Sequence, residues 1–153
     1  MPGLHLLDTN ILILLARGKA IAHRTDARFG LRASATRPLI CCVSLGEVWA
    51  LAEKWGYGAP KRAVIHEMLD NSVIIDIHDP QVVKTYVEVY QFLHQLPGGA
   101  RTNIGENDLW IAAATRATGA TLLTMDKHFD PLHPAIISRE WIDTRPPPRE
   151  ATR

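Results

Sequence analysis

The sequence predicts an α/β fold, a single domain built on a mainly parallel central sheet with helices on both faces. Short apolar runs of strand length alternate with longer helix-period segments along most of the chain, which is the pattern of parallel strands joined by crossover helices. Gly, Pro and capping residues fall between those segments, where the chain has to change direction. At 153 residues, 46% hydrophobic and 22% charged, the chain has the size and composition to bury one core.

Leu4-His5-Leu6-Leu7 is an apolar run ending at Asp8, and Ile11-Leu12-Ile13-Leu14-Leu15 stays apolar until Gly18; together they read as strand, sharp corner and helix. From Arg17 to Arg37 the chain turns basic, with Arg17, Lys19, Arg24, Arg28, Arg32 and Arg37 against the single acid Asp26. This stretch, about 17–37, reads as an inserted basic arm. Leu39-Ile40-Cys41-Cys42-Val43 predicts a buried strand, and Ser44 is a fitting N-cap for a helix that passes Glu47 and reaches Trp55.

Lys61 to Leu69 predicts a further helix and Val73 to Ile77 a strand, after which Asp79-Pro80 supplies the cap and first position of a helix ending near His94. Pro97-Gly98-Gly99 reads as the turn that ends it. The next helix runs from about Glu106 to Thr118 and stops at Gly119. Thr121-Leu122-Leu123-Thr124 predicts a strand delivering Asp126, and Ala135-Ile136-Ile137 a final edge strand. The domain is expected to span 1–144, with a disordered Pro- and Arg-rich tail over 145–153.

Composition also excludes classes. No apolar run of about 18 residues is present to cross a bilayer, and the segment from Met1 to Asp8 lacks the basic-then-apolar pattern of a signal peptide; a cytoplasmic protein is expected. The two cysteines, Cys41 and Cys42, are neighbours in an apolar run, so they cannot staple distant segments and read as free thiols. A net charge of +1 means that any nucleic-acid contact must come from local patches.

Four acids stand out by their places. Asp8 and Asp126 follow strand-like runs, Glu47 lies four residues past Val43, and Asp108 falls in the first turn of its helix. Open parallel sheets gather ligands at the carboxyl ends of their strands, and a helix N-terminus favours a carboxylate. If they converge, like charges about 4 Å apart repel by roughly 4 kcal/mol at an effective dielectric near 20, so the cluster calls for protons or cations. Hard oxygen donors without a Cys or His ligand pattern suit Mg²⁺ or Mn²⁺, whose chemistry at such a site is hydrolysis of a phosphodiester.

Taken singly, each acid reads as an ordinary surface residue. The wording around them is more specific: Leu6-Leu7-Asp8-Thr9-Asn10-Ile11-Leu12, Ser44-Leu45-Gly46-Glu47-Val48, Ile104-Gly105-Glu106-Asn107-Asp108-Leu109-Trp110 and Leu123-Thr124-Met125-Asp126-Lys127-His128-Phe129. In order and over nearly the whole chain, these blocks resemble the PIN domain, in particular the VapC toxins. The resemblance implies a three-layer α/β/α PIN-like fold, Mg²⁺- or Mn²⁺-dependent endoribonuclease activity on RNA, a homodimer, and a small VapB-like antitoxin as partner. By position it assigns Asp8, Glu47, Asp108 and Asp126 as the catalytic, metal-binding set, with Asn10 and Thr124 as polar supports. Met125 departs from the Asn more usual there.

Other features weigh less. Arg24, Arg28 and Arg32 recur every four residues and, on one helix, would share a face able to neutralise RNA phosphates; a solvated basic face is the commoner outcome. Trp49 and Trp110, each two residues beyond an acid of the set, are expected to pack rather than stack on bases. Glu106 and Asp130 read as solvated helix-end acids. None of the histidines has zinc-type spacing, and none is assigned a role. A stand-alone RNA-processing nuclease and a non-catalytic PIN-like binding module are the alternatives. An aspartyl-phosphate enzyme would expect a second acid two residues after Asp8, where Asn10 stands.

Overall fold

The computed structural model describes residues 3–32, 35–98 and 104–146. Five parallel strands, β1 (His5–Leu7), β2 (Leu39–Cys41), β3 (Val73–Ile75), β4 (Thr121–Thr124) and β5 (Ser138–Trp141), form one sheet in the order β3-β2-β1-β4-β5. Six helices connect them among the described residues: α1 (Thr9–Arg17), α2 (Ala20–Phe29), α3 (Val43–Lys54), α4 (Ala59–Asp70), α5 (Pro80–Gln95) and α6 (Glu106–Thr118).

The period-2 alternation of strand side chains separates two cores. Leu7, Ile40 and Leu123 point to one face, where they join Ile11, Leu15, Val48, Ala52, Ile65 and Met68 from α1, α3 and α4. Their neighbours Leu6, Leu39, Cys41 and Leu122 point to the other, against Val89 and Leu93 of α5 and the buried run Ile111-Ala112-Ala113-Ala114 of α6. Helices therefore cover both faces, giving the three-layer α/β/α arrangement. The alanines let α6 lie close to α5, close enough for the Thr85 hydroxyl to donate to the Ala113 carbonyl at 2.8 Å.

Local chemistry sets the helix ends. Asp79 caps α5 by accepting from the Gln81 amide at 2.8 Å, with Pro80 at the first helical position. Gly18, Gly30 and Gly119 end α1, α2 and α6 in the left-handed conformation that glycine adopts without strain.

Four expectations are corrected. The helix after β2 begins at Val43 with Cys42 at its cap position, and Ser44 lies inside the first turn with its hydroxyl buried and unpartnered. Ile136 and Ile137 are in a turn, both amides donating to the Leu132 carbonyl, and the edge strand is the more polar Ser138–Trp141. The strand expected over Val73 to Ile77 stops at Ile75. Helix α2 ends at Phe29, so Arg32 does not share a helix face with Arg24 and Arg28. The expected disordered tail falls mostly on 147–153, and Gly99 of the expected turn also lies outside the described residues.

Candidate metal centre

All five strands run parallel, so their carboxyl ends share one edge. Chain direction across the sheet reverses between β1 and β4, and such a switch point opens a crevice for ligands. Asp8 leaves β1 there and serves as the N-cap of α1, its Oδ1 accepting from the Thr9 amide at 2.8 Å. Its Oδ2 accepts from the Thr124 hydroxyl at 2.6 Å. The same Thr124 oxygen accepts from the Asp126 amide at 2.9 Å, so one buried hydroxyl at the end of β4 ties both acids together.

Glu47 reaches the same place from the second turn of α3, and the Thr9 hydroxyl donates to its Oε1 at 3.4 Å. Asp108 arrives from the first turn of α6. Asp8, Glu47, Asp108 and Asp126 all line one cavity of about 260 Å³, together with Asn10, Arg17, Trp55 and the apolar side chains of Ile13, Leu51 and Met125. Asn10 accepts from the Met125 amide at 3.2 Å, fixing the β4 exit against α1. The structure thus brings together all four predicted acids and the two predicted supports.

Electrostatics follow from that crowding. Burial pushes the Asp8 carboxyl up to about 7, and Asp108 and Asp126 add to it, against the opposing hydrogen bonds from Thr124 and Thr9. Burial also raises Glu47, with Asp108 contributing, and raises Asp108, with Asp126 contributing. Buried carboxylates that face one another are suited to a divalent cation. The donor set fits hard oxygen coordination of Mg²⁺ or Mn²⁺.

His128 is the residue that sequence reasoning passed over. It is the second residue of the 3-10 turn Lys127–Leu132 capped by Asp126, which accepts from the His128 amide at 2.8 Å. Its Nδ1 stands 3.0 Å from Asp126 Oδ2 and 3.8 Å from Asp108 Oδ2, and the three side chains present ligand atoms within 4.8 Å of one another. Zinc-type pair spacing does not mark it, since the partners of His128 are carboxylates.

The other candidates lie elsewhere. Arg24 and Arg28 line a separate, larger cavity of about 650 Å³ between α2 and the segment Trp141 to Pro146, where Arg28 also pairs with Glu140 at 3.4 Å. The Arg32 amide donates to Asp26 at 3.0 Å. Trp110 stacks on Tyr86 with centroids 4.0 Å apart and Trp49 tilts against His66 at 4.5 Å, so both indoles are engaged in packing. Glu106 is exposed, and Asp130 pairs with Arg139 at 2.8 Å. No helix among the described residues is long and apolar enough to cross a membrane.

The PIN domain family model matches residues 5–132, which include every one of these acids. Among solved structures the chain is similar to the VapBC2 complex of Rickettsia felis bound to a fragment of promoter DNA, with a TM-score of 0.71 at 23% identity over 92% of this chain and 99% of that one. DNA-bound VapBC of Salmonella typhimurium follows at 0.68 and 22%, covering 92% and 98%. VapBC-1 of nontypeable Haemophilus influenzae gives 0.64 and 22%, covering 90% and 97%. At such identities the likeness is one of fold. Among curated proteins none matches the chain by sequence.

Proposed function

The chain belongs to the PIN domain family, and from that premise we propose that it is a metal-dependent endoribonuclease, the toxin of a VapBC-type toxin–antitoxin pair. The observation that carries the reading is the joining of Asp8 and Asp126 through the Thr124 hydroxyl, with Glu47 and Asp108 in the same cavity.

Asp8, Asp108 and Asp126 are the proposed ligands of Mg²⁺ or Mn²⁺, with Glu47 lining the same cavity. A bound divalent ion supplies Lewis acidity towards water and the phosphoryl oxygens and offsets the charge on scissile phosphate and acids together. Thr124 and the Thr9 amide hold the Asp8 carboxylate in one orientation, Thr9 and Asn107 steady Glu47, and Asn10 fixes the β4 exit. Glu47 raised by burial is placed to take a proton from an attacking water, a role that a solvated glutamate fills less well at neutral pH.

The partner and setting belong to the same reading. A shared fold with three VapBC complexes over nine-tenths of the chain supports a small VapB-like antitoxin as partner, with a homodimer and a cytoplasmic location following from the same class. The test is cleavage of total cellular RNA by the purified protein in Mg²⁺ or Mn²⁺, beside EDTA and Asp8→Asn, with the ends mapped. Discrete cuts that vanish in both controls are expected; folded protein that cuts with neither metal would favour a non-catalytic binding module.

A further inference from the structure

The cavity does not end at the acids. One face of α1 carries Asn10, Ile13 and Arg17, and α3 presents Glu47, Leu51 and Trp55 at successive four-residue steps. Eight helical residues advance about 12 Å, so the wall leads from the carboxylates past an apolar stretch to a rim made by Arg17 and Trp55. That distance is several times the roughly 3.4 Å rise between stacked bases. A strand with its phosphate at the acids therefore has another nucleotide at the rim.

The rim is built for such a nucleotide. Trp55 is 44% exposed, unusual for an indole that lines a cavity. Arg17 is the one cation among the residues lining the cavity, its guanidinium carbon 4.9 Å above the Trp55 ring and its Nε donating to the Tyr57 hydroxyl at 3.0 Å. Among the described residues no carboxylate pairs with it. With Nε engaged by Tyr57, its outer nitrogens remain as the fork that matches a phosphate. Lys61 Nζ lies over the Tyr57 ring, 4.7 Å from its centroid, and adds a second positive charge.

Resting on the nuclease reading above, we propose that Arg17 and Trp55 form a nucleotide subsite of the substrate groove, Arg17 taking a phosphate and Trp55 stacking on the base of a residue a few nucleotides from the scissile bond in single-stranded RNA. Base stacking on an aromatic ring tolerates any sequence, and a positive groove follows the backbone. Arg17 and Trp55 act on binding and not on the reacting atoms.

The experiment is titration of the full-length protein with a short single-stranded oligouridylate in Ca²⁺, followed by tryptophan fluorescence and by polarisation of a labelled strand, beside cleavage kinetics in Mn²⁺. Wild type is expected to show quenching. Trp55→Phe should remove most of the quench with modest weakening, whereas Trp55→Ala and Arg17→Met should each weaken binding by roughly tenfold and raise KM with kcat little changed. Tyr57→Phe, which removes only the anchoring bond, should have a smaller effect, and unchanged thermal melting verifies folding. Rim-dependent binding without cleavage by any metal would sink the nuclease reading and leave the subsite standing. Cleavage with wild-type binding in Trp55→Ala and Arg17→Met would overturn the subsite and leave the nuclease. Loss in those variants of binding to a co-expressed antitoxin peptide alone, with RNA binding intact, would reassign the rim to the peptide and overturn the proposal.

Discussion

Asp8 is asked to do two incompatible things in the metal-free protein: it caps α1 as an anion and it sits 5% exposed beside other acids. The outcome is a carboxyl pushed up to about 7, against roughly 3.9 in an unfolded chain. A proton held more tightly by the folded state means that stability is fully present below the unfolded value and is lost as pH rises through about 7. The span is worth about 4 kcal/mol. Urea melts of EDTA-treated protein should therefore show lower stability at about pH 8 than at about pH 5, and Asp8→Asn, which keeps a cap and removes the charge, should flatten that slope. A slope unchanged in the variant would assign the effect to another group. Thr124 gives a second test, because Thr124→Val leaves the Asp126 amide and a buried carboxylate oxygen without their partner. A loss of about 1–3 kcal/mol is expected, with metal affinity reduced on the order of 10–100-fold as for other supports of a metal ligand. Thr124→Ser should recover both.

Among the elements, α6 shows what local sequence can and cannot say. Its start and stop, Glu106 and Thr118, coincide with the expected bounds because Asp and Glu favour the first turn and Gly119 the exit. Gly119 has φ +67° and nothing within 4 Å of an added Cβ, so Gly119→Ala meets only the left-handed backbone cost, roughly 1–2 kcal/mol. Thermal melting should fall by about 2–8 °C with cleavage activity at low temperature unchanged; a loss of activity beyond the loss of folded protein would mean that this helix end positions Asp108. The edge strand was misplaced for the opposite reason. Ser138-Arg139-Glu140-Trp141 is half polar and carries no apolar signal, whereas Ile136 and Ile137 are apolar because they cover the α5 and α6 core from a turn. Arg32 was grouped with Arg24 and Arg28 by spacing alone, and Gly30 broke the helix first.

At the scale of the whole molecule, the acids come from four elements that meet only when the sheet is complete: β1 with its helix, α3, α6 and the exit of β4. Their presence was legible in short sequence blocks, since Asp8, Asp108 and Asp126 stand beside a strand end or helix start and Glu47 lies one turn into the helix after β2. His128, Arg17 and Trp55 were not, because what matters about them is which partner the fold sets opposite, and that is a long-range fact. By the same topology, a divalent ion bound in the cavity would clamp the entire fold. An ion that binds the assembled cavity and not the unfolded chain stabilises by mass action, about 2.7 kcal/mol at one hundred times its Kd. For a domain of this size that is a rise in Tm of roughly 5–11 °C. Since the ion competes with the proton on Asp8, the rise should be larger at about pH 8 than at about pH 5. Calorimetric scans with Mn²⁺ against EDTA at both pH values measure it directly. Asp8→Asn should show a smaller rise that depends less on pH, while an equal rise in the variant would place the ion away from the β1 and β4 ends.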